Sequence, residues 1–221
     1  MRRAYEEEVG EVVRIPAGEV ELEGNLTLPY DAHSVVVFVH GSGSSRHSIR
    51  NRFVAEALNG LGLGTLLMDL LSMEEEAADN ETARLRFDIG LLSERVLDAM
   101  DWLAGNPQTK KMSIGLFGAS TGGGAALVAA SERPAVVGAV VSRGGRPDLA
   151  EKALKFVRCP TLLLVGARDL PVIELNRQAM NEMNNAEVKL EIIPRATHLF
   201  EEPGTLTEAA TLAGEWFEKH L

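Results

Sequence analysis

From Ser34 to the end of the chain, short β-forming runs alternate with amphipathic segments, and this alternation constrains the fold more than any other feature. Ser34 to Val39 is a continuous β-branched and aromatic run, as expected of a strand buried on both faces, and Gly62 to Leu70 reads as another buried strand, ending at Asp69. Met112 to Phe117, Val136 to Ser142, Thr161 to Val165 and Val188 to Ile193 read as further strands. Between them, Asn51 to Asn59, Arg86 to Ala104, Thr121 to Glu132, Leu149 to Val157, Val172 to Glu182 and Leu206 to His220 read as helices. In the longest, Ile89, Leu92, Val96, Leu97, Met100 and Leu103 recur at threes and fours, the spacing of one helix face. Strand and helix in strict alternation imply an α/β fold: a mostly parallel sheet with helices on both faces.

Two segments depart from that rhythm. Glu11 to Ile15 and Glu19 to Leu28 are extended and flank Pro16-Ala17-Gly18, which reads as a turn. Apolar and polar residues alternate in the second, so an N-terminal antiparallel hairpin is expected. The acidic stretch Glu74 to Glu81 reads as a solvated loop or a short helix start.

Composition fits one α/β domain spanning residues 1–221. Hydrophobic residues make up 45% of the 221, enough for a full core, which excludes a disordered chain. Cys159 is the single cysteine, so an intramolecular disulfide is excluded, and its apolar setting predicts an inert buried thiol. The formal charge of −10 argues against a nucleic-acid partner. No apolar run approaches the ~20 residues of a membrane span. The opening MRRAYEEEVG has two arginines and no apolar stretch behind them, so no targeting segment is expected. These readings predict a cytoplasmic protein, monomeric or a small homo-oligomer, with no membrane partner.

The chemistry centres on Gly118-Ala119-Ser120-Thr121-Gly122, a G-x-S-x-G string between a strand and a helix. Such a turn is so tight that the flanking positions must lack side chains. It holds the serine hydroxyl clear of the sheet at a helix N-terminus, where amides favour developing negative charge. Three glycines, Gly122 to Gly124, open that helix, although each costs about 1 kcal/mol relative to alanine. Close approach of backbone or substrate would explain them.

A serine nucleophile needs a base, and the order expected after this motif is acid, then histidine. His198, on a loop beyond a strand, is the candidate base; His220 lies on the closing helix and reads as solvated. Asp169 stands just past the strand Thr161 to Val165 and is the candidate acid. Asp148 is its rival, in an Arg146-Pro147-Asp148 setting that reads better as a turn and helix cap. An oxyanion hole would use the backbone N–H of Thr121 and of Ser42, with Gly43 as fallback, from the loop His40-Gly41-Ser42-Gly43-Ser44-Ser45. His40 reads as a structural residue of that loop. Gly41, Gly43, Arg46, His47 and Arg143 are candidates to line the substrate pocket, Arg143 either binding an anionic group or bracing a loop carboxylate. No cluster has metal-ligand spacing, and no cofactor is implied.

These motifs, in this order, resemble the α/β-hydrolase superfamily and its small dienelactone-hydrolase-like branch. HGSGSSRHS, FDI at Phe87 to Ile89, SRGGRPDL and ATHLFEEPG are similar to stretches of compact bacterial hydrolases within that branch. The resemblance implies an α/β-hydrolase fold, with Ser120, Asp169 and His198 as triad and the Ser42 and Thr121 amides as oxyanion hole. It also implies a carboxylesterase-type serine hydrolase of small soluble esters. Dienelactone hydrolases themselves carry cysteine where Ser120 stands, which points to a general carboxylesterase. The interval after Ser142 is too short for a sizeable lid. An acyltransferase or thioesterase on the same triad, or a non-catalytic binding module, are the alternative readings.

Overall fold

The computed structural model describes residues 10–221; the reading of the opening segment as free of a targeting signal lies largely outside them. One eight-stranded sheet runs through the molecule in the order β1-β2-β4-β3-β5-β6-β7-β8. Its strands are β1 (Glu11–Ala17), β2 (Val20–Thr27), β3 (Ser34–Val39), β4 (Gly64–Met68), β5 (Ser113–Ala119), β6 (Val137–Arg143), β7 (Thr161–Gly166) and β8 (Val188–Ile193). The helices are α1 (Ile49–Gly60), α2 (Met73–Thr82), α3 (Ile89–Gly105), α4 (Thr121–Glu132), α5 (Leu170–Glu182) and α6 (Thr205–His220). β1 pairs with β2, and β2 with β4, antiparallel; every other pairing is parallel.

Side chains leave a strand on alternate faces, so a doubly covered strand must be apolar at every position. β3 shows this directly. Val35, Val37 and Val39 pack with Leu92, Val96, Ala125 and Ala126 of α3 and α4. Val36 and Phe38 pack with Val54 and Leu58 of α1 and with Ala213 and Phe217 of α6. The two layers are the two halves of the core.

The chain leaves β3 for β4 on one side and returns to place β5 on the other. Strand order therefore reverses at β3. In open α/β sheets such a reversal opens a crevice beyond the carboxyl ends of the diverging strands. The loops after β3 and β5 meet there.

Three local readings are corrected, and of the two alternatives for the acidic stretch the helix holds. The hairpin turns at Gly18-Glu19, with Gly18 at φ +61°, rather than over Pro16 to Gly18. Pro16 stays inside β1, opposite Glu21, because an edge strand tolerates a missing N–H. The acidic stretch is a helix, α2, started by a reciprocal cap in which Ser72 and Glu75 satisfy each other's backbone N–H. Its Glu74, Glu75 and Glu76 lie in the first turn, where the helix dipole favours negative charge. The helix expected from Arg86 starts at Ile89, because the Asp88 side chain caps it by accepting the Leu91 N–H. A 3-10 turn, Leu85–Phe87, precedes it. The segment Pro147–Phe156 is 3-10 helix, broken where Glu151 takes φ 45°, in place of the short helix expected over Leu149 to Val157.

Candidate active site

Ser120 sits between β5 and α4 at φ 51°, ψ −123°, a strained conformation for a residue with a side chain. The glycines around it explain how the turn closes. A Cβ on Gly118 would lie 2.6 Å from the Gly122 carbonyl oxygen and from Gly123 Cα. One on Gly122 would run into the Val39 and His40 carbonyls, so α4 lies directly against the end of β3. Gly123 and Gly124 face Ser142 and the Arg146 carbonyl in the same close manner. The costly triple glycine is thus set by backbone packing on three sides.

His198 stands on the loop after β8. Its Nδ1 lies 2.6 Å from Asp169 Oδ2 and its Nε2 lies 3.4 Å from Ser120 Oγ. Asp169 follows β7 and precedes α5, and its side chain is nearly enclosed while His198 keeps one edge in solvent. The two loops are tied together: the Arg168 N–H donates to the Ala196 carbonyl, and Gly166 packs against the Ala196 and Thr197 carbonyls. The Thr197 N–H donates to Glu202, which closes the histidine loop on itself. Catalytic hydrogen bonds are often long in an unliganded site and shorten with substrate, so the 3.4 Å separation suits a base and its nucleophile.

Asp148, the rival acid, forms a two-pronged ion pair with Arg146 at 2.7 and 2.8 Å. His220 stacks on Trp216 at the end of α6. His40 bridges two loops: its Nδ1 donates to the Gly41 carbonyl and its Nε2 accepts the Leu70 N–H. Enclosure of the ring holds its pKa below the ordinary histidine value, against the raising effects of the Gly41 bond, Asp69 and Glu76. That fits a neutral, structural imidazole.

The oxyanion loop holds a surprise. The Ser42 amide, expected to point into an open hole, donates to Thr121 Oγ1 at 2.9 Å. The hydroxyl of a buried threonine is the acceptor that this tight turn offers. The Thr121 amide belongs to the first turn of α4 and has no acceptor within the helix.

Two clefts flank the Gly41–Ser45 loop. One, of about 680 Å³, is lined by Gly41, Ser42, Ser48, Arg50, Asn51, Ser120, Arg143, His198 and Leu199, among others. The other, of about 700 Å³, reaches Gly43, Glu76, Asp79 and Arg86. Of the candidate lining residues, Gly41 and Arg143 therefore border the Ser120 cleft and Gly43 borders its neighbour. Arg46 is corrected: its guanidinium is held by Asp69 and Glu23 and its N–H by Asp69 Oδ1, so it braces the loop from behind. His47 is corrected too, being exposed and lining neither cleft. Arg50 and Asn51 went unread, because α1 begins at Ile49 rather than Asn51. The signal was Ser48, whose side chain caps the helix by accepting the Asn51 N–H.

The model of the dienelactone hydrolase family matches residues 22–218. The chain belongs to the dienelactone hydrolase family. A solved dienelactone hydrolase from Anabaena variabilis is 59% identical, with a TM-score of 0.94 over 96% of this chain and 97% of that one. Est1E from Butyrivibrio proteoclasticus shares the fold at 16% identity and a TM-score of 0.77, covering 94% of this chain and 98% of its own. In two strains of Mycobacterium tuberculosis, proteins provisionally named phosphoribosyl transferases are 54% identical over 211 residues. The match covers 96% of this chain but only 46% of theirs, so the chain spans about half the length of those relatives. Membership of a hydrolase family, with a solved member 59% identical, supports a hydrolase. Among the described residues, no helix is long and apolar enough to cross a membrane.

Proposed function

We propose that this chain is a serine hydrolase that cleaves small carboxylic esters through an acyl-enzyme on Ser120. The observation that carries the reading is the continuous run Asp169–His198–Ser120, with separations of 2.6 and 3.4 Å, whose His198 and Ser120 line one cleft. Asp169 would hold the imidazole by accepting its Nδ1 proton and would stabilise the imidazolium. His198 Nε2 would take the hydroxyl proton as Ser120 Oγ attacks the ester carbonyl. The resulting oxyanion would be received by the Thr121 N–H and by the Ser42 N–H once the substrate oxygen replaces the Thr121 hydroxyl as acceptor. Collapse expels the alcohol, protonated by His198. Water, activated by the same imidazole, then releases the acid.

The name of the mycobacterial relatives offers a competing activity, phosphoribosyl transfer. Those proteins extend well beyond the stretch matched here, and the Gly41–Ser45 loop carries no lysine with which to grip a phosphate. Treatment with a fluorophosphonate, followed by intact-mass spectrometry, tests the hydrolase reading. One adduct on the parent and none on Ser120→Ala is the expected result. A folded parent that takes no adduct would sink it.

A further inference from the structure

The segment from Ser142 to Arg146, at the end of β6, touches two members of the candidate triad. The Arg143 carbonyl accepts the Ser120 N–H at 3.3 Å, and the Ser120 carbonyl accepts the Arg146 N–H at 2.9 Å. Gly144, at φ +52°, backs onto the candidate base. A Cβ there would lie 3.1 Å from the His198 carbonyl oxygen and 3.6 Å from Nδ1 and Cε1 of its ring. Packing forces the next glycine too, since a Cβ on Gly145 would fall 1.8 Å from Ser142 Oγ.

Two consecutive glycines make a turn with wide conformational freedom. They bring no side chain with which to fix it, so the hold must come from outside. One tie is the Gly144 N–H, which donates to the Leu164 carbonyl of β7 at 2.7 Å. The brace to a loop carboxylate, foreseen as one alternative for Arg143, is not the other. Among the described residues its guanidinium hydrogen-bonds Asn51 Oδ1 alone, at 3.4 Å, and meets no carboxylate.

The second tie is Asn176, fully buried in α5 about two turns beyond Asp169. Its Nδ2 donates to the Gly145 carbonyl at 3.0 Å and to the Val172 carbonyl of its own helix at 2.8 Å. Both partners are carbonyls, so the amide must present its NH2 here. Its Oδ1 is left buried without a partner. Asparagine is a poor helix former, and a half-satisfied amide is costly in a core. The other buried residues of α5, Val172, Ile173 and Ala179, are apolar, and a leucine would serve packing alone.

We propose that Asn176 is a positioning residue. By holding the Gly145 carbonyl it fixes the Gly144–Gly145 turn as the back wall against which the His198 imidazole meets Asp169 and Ser120. The role rests on the hydrolase reading above for its catalytic consequence, but not for its geometry. Asp169 stands directly before α5 and Asn176 within it, so one helix carries both the acid and the anchor of the wall behind the base.

Asn176→Leu keeps the volume and removes the donors. Ala179→Gly, on the next turn of α5, is the structural control, with a Tm loss of about 2–4 °C expected from helix propensity. On p-nitrophenyl acetate, Asn176→Leu should lower kcat about 10-fold or more at unchanged KM, since misplacing a catalytic group by ~1 Å costs up to about 10²-fold. Ala179→Gly should keep both constants. Gly144→Ala presses a methyl on the ring while leaving Asn176 in place, and should lower kcat in the same way. The proton between His198 Nδ1 and Asp169 Oδ2 reads the geometry without turnover. Its low-field NMR resonance should be present in the parent and in Ala179→Gly, and broadened or lost in Asn176→Leu and Gly144→Ala. An Asn176→Leu protein that keeps kcat within about twofold of the parent overturns the proposal. So does a loss of kcat shared by Ala179→Gly, or a resonance that the Asn176 substitution leaves unchanged. Should Asn176→Leu fail to fold, Gly144→Ala carries the test, and an unchanged kcat and resonance there overturn the proposal. Loss of the resonance in Asn176→Leu, together with a parent that takes no fluorophosphonate, would instead sink the hydrolase reading and leave the positioning role standing.

Discussion

The Ser42 N–H and the Thr121 hydroxyl are joined at 2.9 Å across 79 residues of chain, and this bond couples the loop after β3 to the first residue of α4. Replacing the hydroxyl by a methyl in Thr121→Val keeps volume and branching but leaves the amide without its acceptor. The expected loss is about 1 kcal/mol. That corresponds to a fall of roughly 2–4 °C in Tm for a chain of this size. Thr121→Ser, which keeps the oxygen, should recover most of it in the same melting experiment.

His40 makes stability depend on acid. Its folded pKa lies below the ordinary value because the ring is enclosed, so the unfolded chain binds the proton first as pH falls. The contribution is complete above about pH 6.5 and is lost on acidification towards the folded pKa. Urea unfolding between pH 7.5 and 5 should show a slope of at most about 1.4 kcal/mol per pH unit from this residue. In His40→Gln that component should vanish. His220, also lowered by desolvation, is retained in both proteins, so their difference isolates His40.

Asp169→Asn should leave the fold intact and remove the charge that supports the imidazolium. In the proposed mechanism, ester turnover falls by about 10³–10⁴-fold. Circular dichroism and Tm should change little, since the side chain's only described partner is His198. Turnover within about 10-fold of the parent would be too small a loss for an orienting acid.

Cys159 is buried, and that burial pushes its thiol up to about 11. At pH 8 it should resist iodoacetamide in the native protein and react on unfolding. Mass spectrometry after a timed pulse makes it a reporter of global opening; rapid modification of the native chain would contradict its placement.

Arg143 carries a stability cost. Its pKa, lowered from 12.5 to about 10, is equivalent to roughly 3 kcal/mol of disfavoured charge. Arg143→Met should therefore melt higher than the parent, and a lower Tm would contradict the cost assigned to the buried cation.

Much of this molecule was legible before any coordinates. The continuous apolar run Ser34 to Val39 announced a strand covered on both faces, and the structure places it between α1 and α6 on one side and α3 and α4 on the other. Gly118 and Gly122 announced the tight turn around Ser120, because only steric demand keeps glycine at both places. What the sequence hid was set by competition among equally plausible partners. Arg46, on the loop after β3, and Arg143, the last residue of β6, both stand at the carboxyl side of the sheet, but Asp69 and Glu23 claim only the first. Ser42 has an amide whose direction depends on one side-chain oxygen from a distant segment. Helix starts misled where a capping side chain, Ser48 or Asp88, outweighed apolar periodicity.

The reversal of strand order at β3 has a consequence for how this chain comes to life. The partners in the candidate site are separated by 29, 78 and 79 residues, and none of the three contacts can close before its loops are set at the end of the sheet. A growing or truncated chain that has made β3 through β6 would hold its serine without its histidine. In the proposed mechanism, reactivity at Ser120 is thus a late event in assembly, and a labelling time course during refolding would date the docking of β7 and β8 rather than the collapse of the core.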